Sequence, residues 1–228
     1  MADPRRAGTQ TPGFTLGAPV LVCRWRLAGG TLPLENRHLR ALGARELGGQ
    51  RVPQPLVAWA KQHVEWTLRE GSAAHPDGVL MLVVDERGQA AMTVGPYEPL
   101  ADRRLRALCA RACDAAAEAA RTGVAPESLW LVRPEGLVWG ARRAQVPSAT
   151  DGLMADLAAT IGFPVARDEG LCERLAAVAA GGPGPLVPDA QEAFLVSDEH
   201  GFVPASDLSG PRSERFAADY ARLLARSR

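Results

Sequence analysis

The chain has 228 residues, 46% of them hydrophobic and 23% charged, with 26 basic and 26 acidic side chains and a formal net charge of zero. That length suits one large domain or two small ones, and the charge balance leaves no broad basic field for nucleic acid or an anionic membrane. No apolar run reaches the length of a bilayer span, and no apolar core follows Arg5 and Arg6 at signal-peptide spacing, so a cytoplasmic, reduced protein is expected.

Residues 1–13 read as a disordered leader. Val20 to Leu27 then reads as a strand ended by Gly29 and Gly30. Leu34 to Leu47 has helical spacing, with Leu34, His38, Leu42 and Leu47 near one face. Pro53 to Glu70 is a second expected helix, its stripe made by Leu56, Trp59, Ala60, His63, Trp66 and Thr67. Gly78 to Asp85 is a buried strand, turned at Glu86 to Gly88 so that Gln89 to Val94 pairs with it as a hairpin. Gly95 to Pro99 is a Pro/Gly connector. The expected first lobe is therefore residues 14–97, and residues 98–228 form the second.

The second lobe opens with a helix from about Asp102 to Thr122. Leu129 to Val132 and Leu137 to Trp139 are strands joined by a turn at Glu135 and Gly136. Asp151 to Ile161 is a helix stopped by Gly162, with Pro164 beyond it. A short helix, Gly170 to Ala179, precedes the loop Gly181 to Pro185. Glu192 to Val196 and Phe202 to Pro204 are extended, and Phe216 to Ala225 is a terminal helix. Two α+β lobes with a cleft between them follow. Trp25, Trp59, Trp66 and Trp130 are expected in the core. Cys109 and Cys113 stand four apart on a helix, but no second pair at ligand spacing accompanies them, so they read as small core residues and no metal is expected.

One compositional feature stands apart. The chain has 25 arginines and a single lysine, Lys61. A guanidinium stays protonated and forms no imine, whereas a lysine amine in a suitable site does. Lys61 lies off the apolar stripe of its helix, four positions before Glu65, which is a usual surface arrangement.

The segment from Glu192 to Pro204 is strand, polar turn, strand, with Asp198, Glu199 and His200 in the turn. A turn of this kind exposes backbone N–H groups able to bind an anion, but two carboxylates within it repel a phosphate. The segment resembles the C-terminal signature of the class IV, fold-type IV pyridoxal-phosphate enzymes, Glu-x-Phe-Leu-Thr-Gly-Thr-Ala-x-x-x-x-Pro. That family includes branched-chain aminotransferases, D-amino-acid aminotransferases and aminodeoxychorismate lyases. Leu34 to Leu42 resembles its early helix, and Ala125 to Trp139 its strand-turn-strand with a Gly-x-Val-x-Glu run. Val146 to Asp151 resembles Leu-Pro-Gly-Ile-Thr-Arg, and Gly162 to Val165 resembles Gly-Ile-x-Val. These matches run in the family's order over about residues 18 to 224. The resemblance implies a two-lobed α+β fold like D-amino-acid aminotransferase, and a homodimer.

The same placement shows departures. The family's Schiff-base lysine falls near Ala107, and the glutamate that bonds the pyridine nitrogen falls on Trp139. The phosphate-holding threonine falls on Asp198. The arginine of the early helix falls on Ala41, beside Arg37 and Arg40, and the loop arginine falls on Asp151. The stretch from Trp139 to Val146 is also shorter than the family's. Without the amine and the glutamate the ring loses its power as an electron sink.

The resemblance with these departures implies a divergent member that has lost pyridoxal-phosphate chemistry. It would act as a small-ligand-binding or accessory protein in amino-acid-related or specialised biosynthesis, with no cofactor expected. The residues expected around its ligand are Trp139, Arg142, Arg143, Ser148, Thr150 and Ser197. An alternative is a cofactor-independent enzyme in the same cleft. Asp198, Glu199 and His200 would then be its catalytic acid/base groups, and Arg142 and Arg143 would hold a carboxylate-bearing small molecule. A third reading keeps pyridoxal phosphate and an aminotransferase or lyase activity, if the motif placement slips.

Overall fold

The computed structural model describes residues 15–227, so the expected leader at 1–13 lies outside the described residues. Strand β1 (Pro19–Arg26) pairs antiparallel with β4 (Val79–Asp85), and β4 with β5 (Ala90–Gly95), giving a three-stranded sheet. Between β1 and β4 the chain makes α1 (Glu35–Ala44), the short strands β2 (Glu46–Leu47) and β3 (Gln50–Arg51), and α2 (Gln54–Gly71). Leu21, Cys23, Trp25, Leu80 and Leu82 pack with Leu39 and Leu42 of α1 and Ala60 and Val64 of α2 as one core.

The rest of the chain builds a five-stranded sheet in the order β10-β9-β6-β7-β8. Its strands are β6 (Glu127–Arg133), β7 (Gly136–Trp139), β8 (Val165–Arg167), β9 (Glu192–Ser197) and β10 (Gly201–Pro204). Pairing is antiparallel except between β7 and β8. Side chains alternate across a strand. Leu129 and Leu131 of β6 therefore meet α3 (Leu105–Thr122) and α5 (Leu171–Ala179) on one face. Trp130 and Val132 meet α4 (Ala149–Thr160) and α6 (Pro211–Arg226) on the other. Both faces are covered, which is why β6 and β9 read as near-continuous apolar runs rather than alternating ones.

The expected elements form, with differences at their ends. Helix α1 stops at Ala44, not Leu47. Gly48 and Gly49 both take positive φ, 59° and 78°, and so make a two-residue hairpin loop between β2 and β3. Strand β8 carries no signal in the sequence, because Val165–Arg167 is exposed throughout and shows no alternation. Helix α6 starts earlier than expected because Pro211 sits at its first turn, where a missing N–H is harmless.

Trp66 corrects one expectation. It is 46% exposed, whereas Trp25 and Trp130 are fully buried. The stripe of α2 that meets the sheet runs through Ala60 and Val64, so along its flank Trp59 stacks on His63 and Trp66 meets the His63 ring edge to face. The cysteines also pair differently from their sequence spacing. Cys109 is buried, but Cys113 turns toward α5, its Sγ 3.6 Å from the Cys172 carbonyl oxygen. All four cysteines are free thiols.

Candidate functional site

The β9–β10 hairpin and the N-terminus of α4 meet beside β1 and α1. The hairpin loop is Asp198, Glu199 and His200, and Gly201 follows at φ +71°. That left-handed φ at the first residue of β10 is one that glycine adopts without strain. A Cβ at Gly201 would also lie 2.2 Å from the Tyr220 ring, so glycine is required twice over.

None of the loop's backbone donors is free for a ligand. Ser197 Oγ accepts from the Glu199 N–H at 3.2 Å and the His200 N–H at 3.0 Å, while donating to Glu127 Oε1. The Asp198 N–H bonds the Pro126 carbonyl. The anion nest that such a turn offers is thus closed by the side chain preceding it.

The Asp198 side chain points to α4. Its Oδ1 accepts from the Thr150 N–H at 2.9 Å and the Thr150 hydroxyl at 2.8 Å. Its Oδ2 lies 3.6 Å from His38 Nδ1, an attraction too long for a hydrogen bond, and His38 stacks on Trp25. The carbonyl of Asp198 accepts from the Arg26 N–H, which ties the loop to β1. Burial pushes the Asp198 carboxyl up. The His38 imidazole and the Thr150 donors outweigh that and hold it below the ordinary carboxylate value.

One residue along α4, Asp151 is wholly buried. Its Oδ1 accepts from the Ser128 hydroxyl at 2.5 Å and from Trp130 Nε1 at 3.0 Å, and Oδ2 from the N-cap Ser148 hydroxyl at 3.1 Å. Here burial dominates. It lifts the carboxyl to about 6, with the Asp198 charge acting in the same direction and the three hydrogen bonds opposing it. Trp139 stacks on Trp130 at 5.3 Å and 9°, and the Arg167 guanidinium covers its ring at 4.2 Å. Arg167 carries no signal in the sequence as a site-builder. Asp151 is marked there as the residue that the resemblance sets at the loop arginine, and it also stands three residues after Ser148, a helix N-cap spacing.

The remaining expected residues are placed as follows. Glu199 is held in a two-toothed ion pair by Arg24 of β1, at 2.5 and 2.8 Å. The His200 ring is buried near Arg111, Glu127 and Tyr97, and burial lowers its pKa, with Arg111 and Arg24 adding to the effect and Glu199 and Glu127 opposing it. Arg142 and Arg143 lie on the exposed loop after β7, where their carbonyls accept from Arg167. They do not join Asp198, Glu199 and His200. Ala107 is in the first turn of α3, and Lys61 is exposed on α2.

A cavity of about 300 Å³ does open between the lobes next to this loop, lined by Arg24, Arg111, Asp114, Glu118, Glu127 and Glu199 among others. Both arginines are already paired, Arg111 with Glu127 at 2.7 and 2.8 Å. Among the described residues, no His, Cys, Asp and Glu cluster is arranged to hold a metal ion, and no helix is long and apolar enough to cross a membrane.

The whole arrangement has counterparts among solved structures. A hypothetical aminotransferase from Mycobacterium tuberculosis in its pyridoxal-phosphate-bound form superposes with a TM-score of 0.59 at 15% identity, over 96% of each chain. A fold IV transaminase from Curtobacterium pusillum gives 0.57 at 14% identity, over 99% of this chain and 90% of that one. A 4-amino-4-deoxychorismate lyase from Pseudomonas aeruginosa gives 0.52 at 18% identity, over 89% and 90%. The chain therefore has the class IV aminotransferase fold that its motif order implied. No protein-family model matches the sequence, and no curated protein does.

The residues here do not fit pyridoxal phosphate in the way that fold uses it. The Thr150 donors at the start of α4 and the Glu199 and His200 N–H groups of the β9–β10 loop, where the sequence resemblance sets the phosphate motifs, are taken by Asp198 and Ser197. A phosphate brought there would displace a carboxylate that is 4% exposed or share its donors with it. Where the sequence resemblance sets the pyridine-binding glutamate stands Trp139, an indole with no acidic group to hold a pyridinium, packed between Trp130 and Arg167.

Proposed function

We propose that this chain keeps the class IV aminotransferase fold without its pyridoxal-phosphate chemistry, and that it serves as a small-ligand-binding or accessory protein in amino-acid-related or specialised biosynthesis. The observation that carries the reading is the Thr150–Asp198 contact. An internal carboxylate takes the helix-terminus donors that an external phosphate would need. The fold likeness supports the family setting, and the pairing of two copies as a homodimer belongs to the same reading.

The cofactor-independent alternative is supported less well. Asp198 is bound by Thr150, Glu199 by Arg24, and His200 lies behind them, so no member of that trio presents a free group to the inter-lobe cavity. The test is direct. Purified protein is incubated with pyridoxal phosphate, dialysed and scanned in the visible range before and after borohydride. A colourless protein that retains no cofactor is expected. Retained cofactor with a visible band that borohydride removes would overturn the reading. Sedimentation velocity on the same sample tests the homodimer.

A further inference from the structure

The Gly/Pro run Gly181 to Pro188 has no part in the site above, yet it encloses a cavity of about 320 Å³ on the α3–α5 face of the large sheet. The loop is pinned at both ends. Gly181 and Gly182 N–H groups bond the Val178 and Ala177 carbonyls at the end of α5, and the Gln191 N–H bonds the Val132 carbonyl of β6. Between these anchors, Pro183, Pro185 and Pro188 hold φ and remove N–H donors. Gly184 adopts φ +104° and Asp189 φ +64°. The segment arches over that face of the sheet, beside β6, instead of collapsing onto it.

The walls beneath are apolar: Leu131 of β6, Leu171 and Val178 of α5, and Leu186 and Val187 of the arch. Two cations reach the cavity, Arg133 at the end of β6 and Arg174 of α5, and no carboxylate lines it. Arg174 is already paired with Asp168. Arg133 has no ion pair among the described residues, and its Nε is buried without a hydrogen-bond partner. An arginine that lines an apolar space and has no ion partner is matched by a carboxylate that a ligand brings, which its planar fork can grip with two N–H groups. A concave, mostly apolar space with a few convergent polar groups is also the usual form of a small-molecule site.

We propose that this cavity binds a small amphiphilic monocarboxylate, its chain against the walls under the arch and its carboxylate on Arg133. The cavity shares no residue with the Asp198 network, so the proposal stands whether or not that network admits a cofactor.

Octanoate, octanol and acetate serve as probes, titrated into the full chain by isothermal calorimetry. Octanoate is expected to bind at least about tenfold more tightly than either octanol, which lacks the charge, or acetate, which lacks the chain. Arg133→Met, which keeps the apolar stem, is expected to erase the preference for octanoate over octanol. Val178→Trp, which fills the space, is expected to abolish octanoate binding, with circular dichroism checking that each variant is folded. No octanoate binding to the natural chain, equal binding of octanoate and octanol, or undiminished octanoate binding by either folded variant would overturn the proposal. The comparison of probes on the natural chain decides the matter even if a variant fails to fold.

Discussion

Thr150 donates both its backbone N–H and its hydroxyl to one oxygen of Asp198, at 2.9 and 2.8 Å, across two elements 48 residues apart in sequence. A helix start thereby finds its anion inside the chain. The same residue anchors the β9–β10 loop against α1 by its carboxylate, through His38, and against β1 by its main-chain carbonyl, which accepts from the Arg26 N–H.

Removing that anion leaves three groups stranded. Asp198→Ala is expected to lower unfolding free energy by about 2–4 kcal/mol, since two donors and the His38 ring lose a buried charged partner. Asp198→Asn keeps the oxygen that Thr150 uses and is expected to cost roughly 1 kcal/mol. Because the folded carboxyl titrates below its unfolded value, its stabilisation is present above about pH 4 and lost as pH falls through the folded pKa. Urea melts at a series of acid pH values check the sizes and the sign, and both variants should lack this acid limb.

Asp151 has the opposite sign. Its folded carboxyl is raised to about 6, so folding takes up a proton between the unfolded value and that one, and stability falls as pH rises across the interval. Asp151→Asn keeps the hydrogen-bonding shape without the charge. It is expected to match the natural chain near pH 4 and to exceed it above pH 6 by roughly 1–3 kcal/mol. Equal stabilities at pH 7 would count against a buried, reluctantly ionised Asp151.

Two ion pairs leave α1 with different consequences. Arg45 is 3% exposed and has Glu118 of α3 as its partner at 3.2 Å, whereas Arg37 pairs with an Asp156 that is 65% exposed. Glu118→Gln leaves a buried cation unpaired and is expected to cost about 3 kcal/mol. Asp156→Asn should cost less than about 1 kcal/mol. Chemical denaturation of the two variants side by side distinguishes them.

Lys61 is exposed on α2. Lys61→Gln is expected to change stability by no more than about 0.5 kcal/mol and to leave the response to pyridoxal phosphate and borohydride as it was. A borohydride-fixed adduct lost in this variant would identify Lys61 as reactive after all.

Much of the fold was legible because its elements carry local signals. The apolar runs of β4, β6 and β9, the Ser148 cap and the Pro/Gly breaks place nearly every element within a few residues. The errors fell where local signals mislead. The helical spacing of α1 reads on through Glu46 and Leu47, which form β2 instead, and Trp66 reads as core because hydrophobicity alone does not say which flank of α2 meets the sheet. In the site, the replaced residues, Asp198 and Trp139 above all, were visible one by one.

The amino-acid sequence by itself determined that the chain holds a single lysine, Lys61, and that Asp198 and Trp139 are the residues which the family resemblance sets at cofactor-partner positions, since residue identity needs no coordinates. Only the tertiary structure decided what those residues do instead. A carboxylate in a turn reads equally well as solvated, catalytic or structural. The difference lies in burial and in donors supplied from distant segments: Thr150, His38 and Arg26 converge on Asp198 from a different helix, a different lobe and a different sheet. The same holds for Arg133, whose buried, unpartnered Nε under the Pro/Gly arch is a property of packing that no spacing along the chain encodes.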